Sequence, residues 1–281
     1  MIPVITALSR PRLSLLNGIT ALAGYLLFPA HISVSALSVA LCGVALLAAG
    51  GSAINQALEG DLDGRMMRTA ARPVPRGALS PAGAAAIGGV MIALGLVSLF
   101  TFGGAMPALL GVAALLWYLA VYTPLKRHTS LALPIGALCG AFPPLIGWTL
   151  AGGVLHDYRI IMLAGLLVLW QIPHFWLFQR RYADEYRQAG IPLLHIHEGT
   201  SLFLWLWLAA LYTAAMLLPA FGIIARHFAV WCVLLPFPIL FFKFYRSGRQ
   251  LFACINCFPL LLTLLIAAQR HTSPLQTALL P

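Results

Sequence analysis

The chain has 281 residues, 61% of them apolar and only 9% charged, with a net charge of +10. Soluble domains carry about 25% charged residues, so an ordinary soluble fold is excluded; about nine membrane spans of ~20 residues use the whole length as a single domain. The positive surplus follows from topology and anionic lipid headgroups and needs no nucleic-acid partner.

In chain order, the apolar runs predict transmembrane helices near 13–30, 34–55, 82–102, 105–123, 131–151, 159–178, 202–222, 228–244 and 251–268. Strands of a membrane barrel would alternate in polarity, so an all-α bundle is expected. Gly and Pro within the runs are compatible with helices that neighbours support, and the small residues of "GGAMPALLG" favour close helix packing. The first apolar run is long and no small-residue cleavage site follows it, so no removable leader is expected. Alternate connections sort the Lys and Arg residues strongly. One side holds Arg10, Arg12, Arg65, Arg68, Arg72, Arg76, Lys126, Arg127, Arg180, Arg181, Arg187, Lys243, Arg246 and Arg249; the other holds Arg159, Arg226 and Arg270. This 14 to 3 split predicts a bacterial inner-membrane protein with a cytoplasmic amino terminus.

The acids are few, and six of the seven fall in two connections on the basic side: Glu59, Asp61 and Asp63, then Asp184, Glu185 and Glu198, with Asp157 alone opposite. Asn55, Glu59 and Asp63 are spaced by four, so a helix continuing out of the second span would align them on one face. Asp61 points away on an ideal helix and takes a secondary place unless Gly60 or Gly64 loosens the turn. Such oxygen donors suit Mg²⁺, whose shell is completed by substrate phosphates, with Arg65, Arg68 and Arg72 as phosphate partners. A solvated helix end is the plainer reading, and Asp61 with Arg65 fits it. Glu59 with Asp63 does not, because like charges four apart repel. After the sixth span, basic residues again precede adjacent acids, Asp184 and Glu185, while Lys126 and Arg127 join the same side. Two acidic helix ends could clamp one diphosphate through metal ions; for the second, a solvated loop explains the spacing equally well.

Three blocks carry a resemblance: "NQALEGDLDGRMMRTAARPVPRG" at 55–77, "YTPLKRHTSLALPIGALCGAFPPLIGW" at 122–148 and "LWQIPHFWLFQRRYADEYRQAGIPLL" at 169–194. With "RPRLSLL" at 10–16 they resemble the UbiA-type intramembrane prenyltransferase superfamily, in particular its heme-farnesylating branch. The resemblance implies helices around a lipid-accessible cavity, capped by the two acidic motifs. It implies farnesyl transfer from farnesyl diphosphate to a vinyl group of heme B, with addition of water and release of diphosphate. Asn55, Glu59, Asp63, Asp184 and Glu185 then match catalytic metal positions, with Asp61 beside them. Arg68, Arg72, Lys126, Arg127 and Tyr186 match substrate-holding ones. The cofactor is Mg²⁺, heme B is a substrate, and a downstream heme-modifying or oxidase-assembly protein is an implied partner.

His174 is the candidate to approach heme iron or its propionates, against a plain packing role. Trp170, Phe175 and Trp176 can shield an allylic cation or simply anchor at the interface. His195 and His197 read as loop residues, and the five cysteines, "CINC" included, as small packing residues. Glu59 and Glu185 stand where the family commonly has Asp, and "HIHEG" departs from its usual loop. A transporter would need its polar residues near the bilayer midplane. A noncatalytic heme-handling protein and a prenyltransferase for a quinone-type ring remain as alternatives.

Overall fold

The computed structural model describes residues 2–29, 31–194, 200–234 and 248–272. His195, His197, Glu198, Lys243, Arg246 and the "HIHEG" loop lie outside them. Among the described residues the fold is all helix: α1 Ile2–Ser9, α2 Pro11–Leu27, α3 Val34–Leu58, α4 Gly60–Asp63, α5 Met67–Ala70 and α6 Pro81–Gly103 come first. Then follow α7 Ala105–Leu125, α8 Ala132–Leu150 and α9 Tyr158–Arg181, and finally α10 Ala183–Gln188, α11 Thr200–Ala220, α12 Ala229–Leu234 and α13 Gly248–Thr272.

This is a multi-pass membrane protein: six described helices are long and apolar enough to cross a bilayer. That is fewer than the expected nine. Helix α2 has 17 residues, the apolar part of α11 is Leu204–Ala220, and the 228–244 run is described only to Leu234.

Local chemistry sets the helix starts. Ser33 and Ser80 accept from the N–H groups of Ala36 and Gly83 at 3.3 and 3.1 Å, and Asp157 accepts from Arg159 at 2.9 Å, so orphan first-turn donors are satisfied. In α8, Pro143 and Pro144 remove two backbone donors, and a 3₁₀ segment, Leu138–Ala141, precedes them. In α7 a π-helical stretch, Trp117–Tyr122, shifts the register of its aromatic residues; such segments are frequent at functional sites.

Two apolar clusters build the bundle. One joins α9, α11 and α13 around Leu163, Leu167, Leu208, Leu211 and Phe258. The other joins α2, α3, α6 and α8 around Tyr25, Val44, Leu47, Leu99 and Ile146. Helix α6 exposes Val90, Leu94, Val97 and Phe100 as a lipid-facing stripe.

Small residues set the tightest crossings. Gly50 and Gly88 face each other between α3 and α6, where a Cβ on Gly88 would lie 2.8 Å from the Gly50 carbonyl oxygen. Between α2 and α8, a Cβ on Gly24 would collide with the backbone of Pro144, and one on Gly147 with that of Ala21. Neither backbone can rotate away as a side chain does. Gly147→Ala is therefore expected to destabilise the bundle by about 1–3 kcal/mol, the usual cost of overpacking, read as a lower melting temperature in detergent. Gly165→Ala, which meets nothing within 4 Å, is expected to leave it unchanged.

Candidate active site

The end of α3 does not continue as one ideal helix. Glu59 breaks it with φ −118° and ψ 19°, yet the backbone ladder persists: Glu59 N–H donates to Asn55 O at 3.0 Å and Asp63 N–H to Glu59 O at 2.8 Å. Asn55, Glu59 and Asp63 consequently stay on one side and line a single cavity of about 400 Å³. The carboxylates are almost fully buried, with side-chain exposures of 2% for Glu59 and 3% for Asp63.

Each buried acid has a partner from elsewhere in the chain. Lys126, just past α7, forms a short ion pair with Glu59 Oε2. Arg72 Nη1 meets Asp63 Oδ2 at 2.6 Å. Asn55 Nδ2 donates to Glu59 Oε2 at 2.9 Å and to Thr123 Oγ1 at 3.1 Å, tying α3 to α7.

Several expected site residues are placed elsewhere. Asp61 is turned outward, 56% exposed, and bound by Arg127 at 3.0 and 3.1 Å. That hydrogen bond holds the Asp61 carboxyl below the usual aspartate range and raises the Arg127 guanidinium. Arg127 does not line the cavity, although its Nε lies 4.0 Å from Glu59 Oε1. Arg65 is exposed. Asp184 is 87% exposed and pairs with Arg187 at 2.7 Å.

Glu185 uses Oε2 to accept from the backbone N–H of Arg68 at 2.9 Å. It thus joins α5 to α10, and Leu62, Met66, Tyr186, Ala189 and Ile191 pack beside that joint. Three connections therefore meet at one mouth, but the six expected metal ligands do not gather. Among the described residues, no group of three or more His, Cys, Asp or Glu side chains is placed to hold an ion. The cause is geometric: Asp61 lies on the opposite side of the turn from Glu59 and Asp63, and α10 is a short surface helix.

The mouth of the cavity carries Arg10, Arg68, Arg72 and Lys126 against Glu59 and Asp63. Cations exceed anions, as an anionic ligand requires. Arg68 lies over the rings of Phe178 and Tyr182 at 5.0 and 5.2 Å. Two buried atoms at this mouth lack any hydrogen-bond partner: Glu59 Oε1, an acceptor, and Arg68 Nε, a donor. Such groups are costly to leave unsatisfied. One fits a cation and the other an anion, so the donor set suits Mg²⁺ with a phosphate. Tyr186 also lines the cavity, and burial raises its phenol, so it remains a hydrogen-bond donor.

Below the mouth the wall is aromatic and apolar. Tyr118, Tyr122 and Phe175 form a stacked ladder with centroid separations of 6.1 and 6.2 Å. Lys126 Nζ sits 5.6 Å from the centre of the Tyr122 ring. His174 lines the cavity between Trp170 and Phe252, at centroid distances of 5.1 and 5.3 Å, and its buried Nδ1 has no partner. Trp170 anchors α9 to α13 by donating to Ile255 O at 2.7 Å, and Trp176 is buried. None of the five cysteines is disulfide-bonded.

Sequence reasoning missed Arg10, Tyr118 and Tyr122 as site residues. Tyr118, Tyr122 and Lys126 are four apart, a signal that was available. Gln171, Gln179 and Asn256, polar residues inside or beside apolar runs, also line the cavity.

Residues 17–253 match the model of the UbiA prenyltransferase family, and the chain belongs to that family. More particularly, it is 58% identical over 262 residues to a protein named protoheme IX farnesyltransferase from Geobacter sulfurreducens, covering 92% of this chain and 96% of the relative. Among solved structures, a UbiA homolog from Aeropyrum pernix superposes with a TM-score of 0.77 at 18% identity, covering 92% of this chain and 98% of the other. A UbiA homolog from Archaeoglobus fulgidus bound to GPP and Mg²⁺ gives 0.68 at 15% identity, with 95% and 99% covered. The two archaeal structures share the fold.

The placement of the acids separates them experimentally. Asp61→Asn removes an exposed ion pair and is expected to cost no more than ~1 kcal/mol, with Mn²⁺ affinity unchanged in a titration with the purified protein. Glu59→Gln is expected to weaken Mn²⁺ binding at least about tenfold, as losing a ligand or its outer support does.

Proposed function

We propose that this chain transfers a farnesyl group from farnesyl diphosphate to a vinyl group of heme B, giving heme O and releasing diphosphate. The observation that carries the reading is the mouth itself, where a buried carboxylate oxygen and a buried guanidinium nitrogen, Glu59 Oε1 and Arg68 Nε, both lack hydrogen-bond partners. The relative in Geobacter sulfurreducens, matched over nearly its whole length, supplies the substrate class.

In this reading Asn55, Glu59 and Asp63 hold Mg²⁺, which when bound neutralises the charge developing on the leaving group. Arg68, Arg72 and Lys126 bind and orient the diphosphate, and their fixed positive charges favour its departure. Tyr186 donates a hydrogen bond at the same mouth. Glu185 holds the backbone of Arg68 in place, while Asp61, Asp184 and Arg127 stay at the rim. The ladder of Tyr118, Tyr122 and Phe175 keeps water from the allylic carbon and presents ring faces to its positive charge. The C–O bond to diphosphate breaks, and the vinyl group supplies the electron pair for the new C–C bond. Water then adds to the carbon left positive and loses a proton.

His174, with its open Nδ1, meets the heme through iron or a propionate. The strong bias of Lys and Arg to one side supports a bacterial inner membrane with the amino terminus and mouth in the cytoplasm. One domain serves both substrates, and the product passes within the bilayer to a heme-modifying or oxidase-assembly protein.

Purified protein with Mg²⁺, farnesyl diphosphate and heme B is expected to yield a heme heavier by one farnesyl group and one hydroxyl, separated by chromatography and identified by mass spectrometry. Chelation of the metal abolishes the product, and Asp63→Ala lowers turnover at least about 100-fold, typical for loss of a charge-stabilising group. Product formed only on a phenolic or quinone-type acceptor contradicts heme as substrate. Heme binding without turnover indicates a heme-handling protein instead.

Burial lowers the pKa of Lys126, against the opposing pull of Glu59. Diphosphate binding needs the protonated amine. The KM for farnesyl diphosphate is therefore expected to rise with pH from below the ordinary lysine pKa of ~10.4. Lys126→Arg removes that limb from the KM–pH profile.

A further inference from the structure

Among the described residues, Arg10 alone combines a side chain with positive φ, at φ 45° and ψ 62°. Left-handed backbone is unfavourable for L-residues and persists only where the surroundings over-determine it, most often at functional positions. Pro11 disfavours right-handed helix at the residue before it, so α1 and α2 do not merge.

The turn is fixed from several directions. Arg10 N–H donates to Thr6 O at 3.2 Å, and its carbonyl accepts from Leu13 and Ser14 at 2.9 and 3.1 Å. Ser14 Oγ donates to Ser9 O at 2.6 Å. Gln56, fully buried on α3, donates Nε2 to Ala7 O and Leu8 O at 3.3 and 3.0 Å. Those carbonyls would otherwise be left open at the end of α1. Leu8, also fully buried, packs with Ala53, Val74 and Ala84. Gln56 Oε1 is buried without a hydrogen-bond partner, so the amide's hydrogen bonds run through its nitrogen to α1.

This turn puts Arg10 on the wall of the cavity, in the field of Asp63, Arg68 and Arg72. Asp63 is already engaged by Arg72, and Arg10 appears in none of the ion pairs among the described residues. Burial, then the charge of Arg72, holds its pKa below the usual arginine range. A strained backbone and a crowded like charge oppose folding together, and a bound anion relieves the second.

We propose that Arg10 is a diphosphate-binding residue, presented by this strained turn, and that Gln56 is the residue that positions it; the inference rests on the diphosphate site proposed above. Arg10 and Asn55 then reach the same ligand, while Gln56, the next residue along α3, locks the Arg10 turn.

Calorimetric titration of the purified full chain with inorganic diphosphate and Mg²⁺ tests this, with melting temperature and heme B absorbance followed in parallel. Absence of binding by the unmodified chain overturns the diphosphate site itself. Given that binding, Arg10→Ala is expected to weaken it about 10- to 100-fold, the range for a charge-assisted hydrogen bond. Arg10→Lys should recover most of the affinity. Arg12→Ala makes the same charge change at an exposed neighbour and should stay within about twofold. Arg10→Gly should bind as weakly as Arg10→Ala yet melt at or above the unmodified temperature, because glycine relieves the positive φ; it also serves if Arg10→Ala does not fold. Gln56→Ala should raise the dissociation constant by a smaller factor, with heme binding preserved. Unchanged affinity in the Arg10 variants, or an equal loss in Arg12→Ala, overturns the proposal. A lower melting temperature in Arg10→Gly overturns the strained presentation.

Discussion

Two carboxylates buried at the mouth of the cavity, Glu59 and Asp63, set the terms for the rest of this molecule. Isolated, Glu59 or Asp63 would carry a desolvation penalty of several kcal/mol. Lys126 and Arg72 offset it, and each arrives from a different connection. The segment after α5 and the turn after α7 are therefore held at one mouth by charge. Asn55 and Thr123 reinforce the joint between α3 and α7, and Glu185 fastens α5 to α10 through the backbone of Arg68.

On the proposed function, that arrangement allows an exchange. Each acid–base pair can trade its partner for a component of a metal–diphosphate ligand, carboxylates taking the cation and Lys126 and Arg72 taking phosphate oxygens. The charges remain compensated before and after, so binding a highly charged headgroup need not leave any of them bare. Glu59 Oε1 and Arg68 Nε, which have no hydrogen-bond partner, would gain one in that exchange. The apolar wall beneath then suits the isoprenoid, and the aromatic ladder and His174 lie along the same chamber.

Much of this was readable in the amino acids, for reasons that differ by residue. The helices follow from apolar runs whose length the bilayer dictates. Asn55, Glu59 and Asp63 were legible because spacing by four survives the break at Glu59, the backbone ladder running through it. Asp61 was given a secondary place beside them by the same geometry, and the structure turns it outward onto Arg127. Arg65 and Asp184 look like site residues in sequence, but nothing local says which side of a short surface turn faces inward. Arg10 was hidden for the opposite reason: its direction comes from a positive φ, in a turn supported partly by Gln56, distant in sequence. The contribution of Tyr118 and Tyr122 depends on a π-helical register that composition does not reveal. Glu185 has the charge of a metal ligand, yet its carboxylate accepts from a backbone N–H, that of Arg68.

The central claim, that the buried carboxylates and their cations exchange partners around a metal–diphosphate headgroup, is most directly tested by anomalous diffraction from crystals grown with Mn²⁺ and inorganic diphosphate. The account predicts manganese beside Glu59 and Asp63, with Lys126 and Arg72 drawn onto phosphate oxygens. Manganese at Asp61 or Asp184, or a site in which both original ion pairs persist beside bound diphosphate, would contradict it.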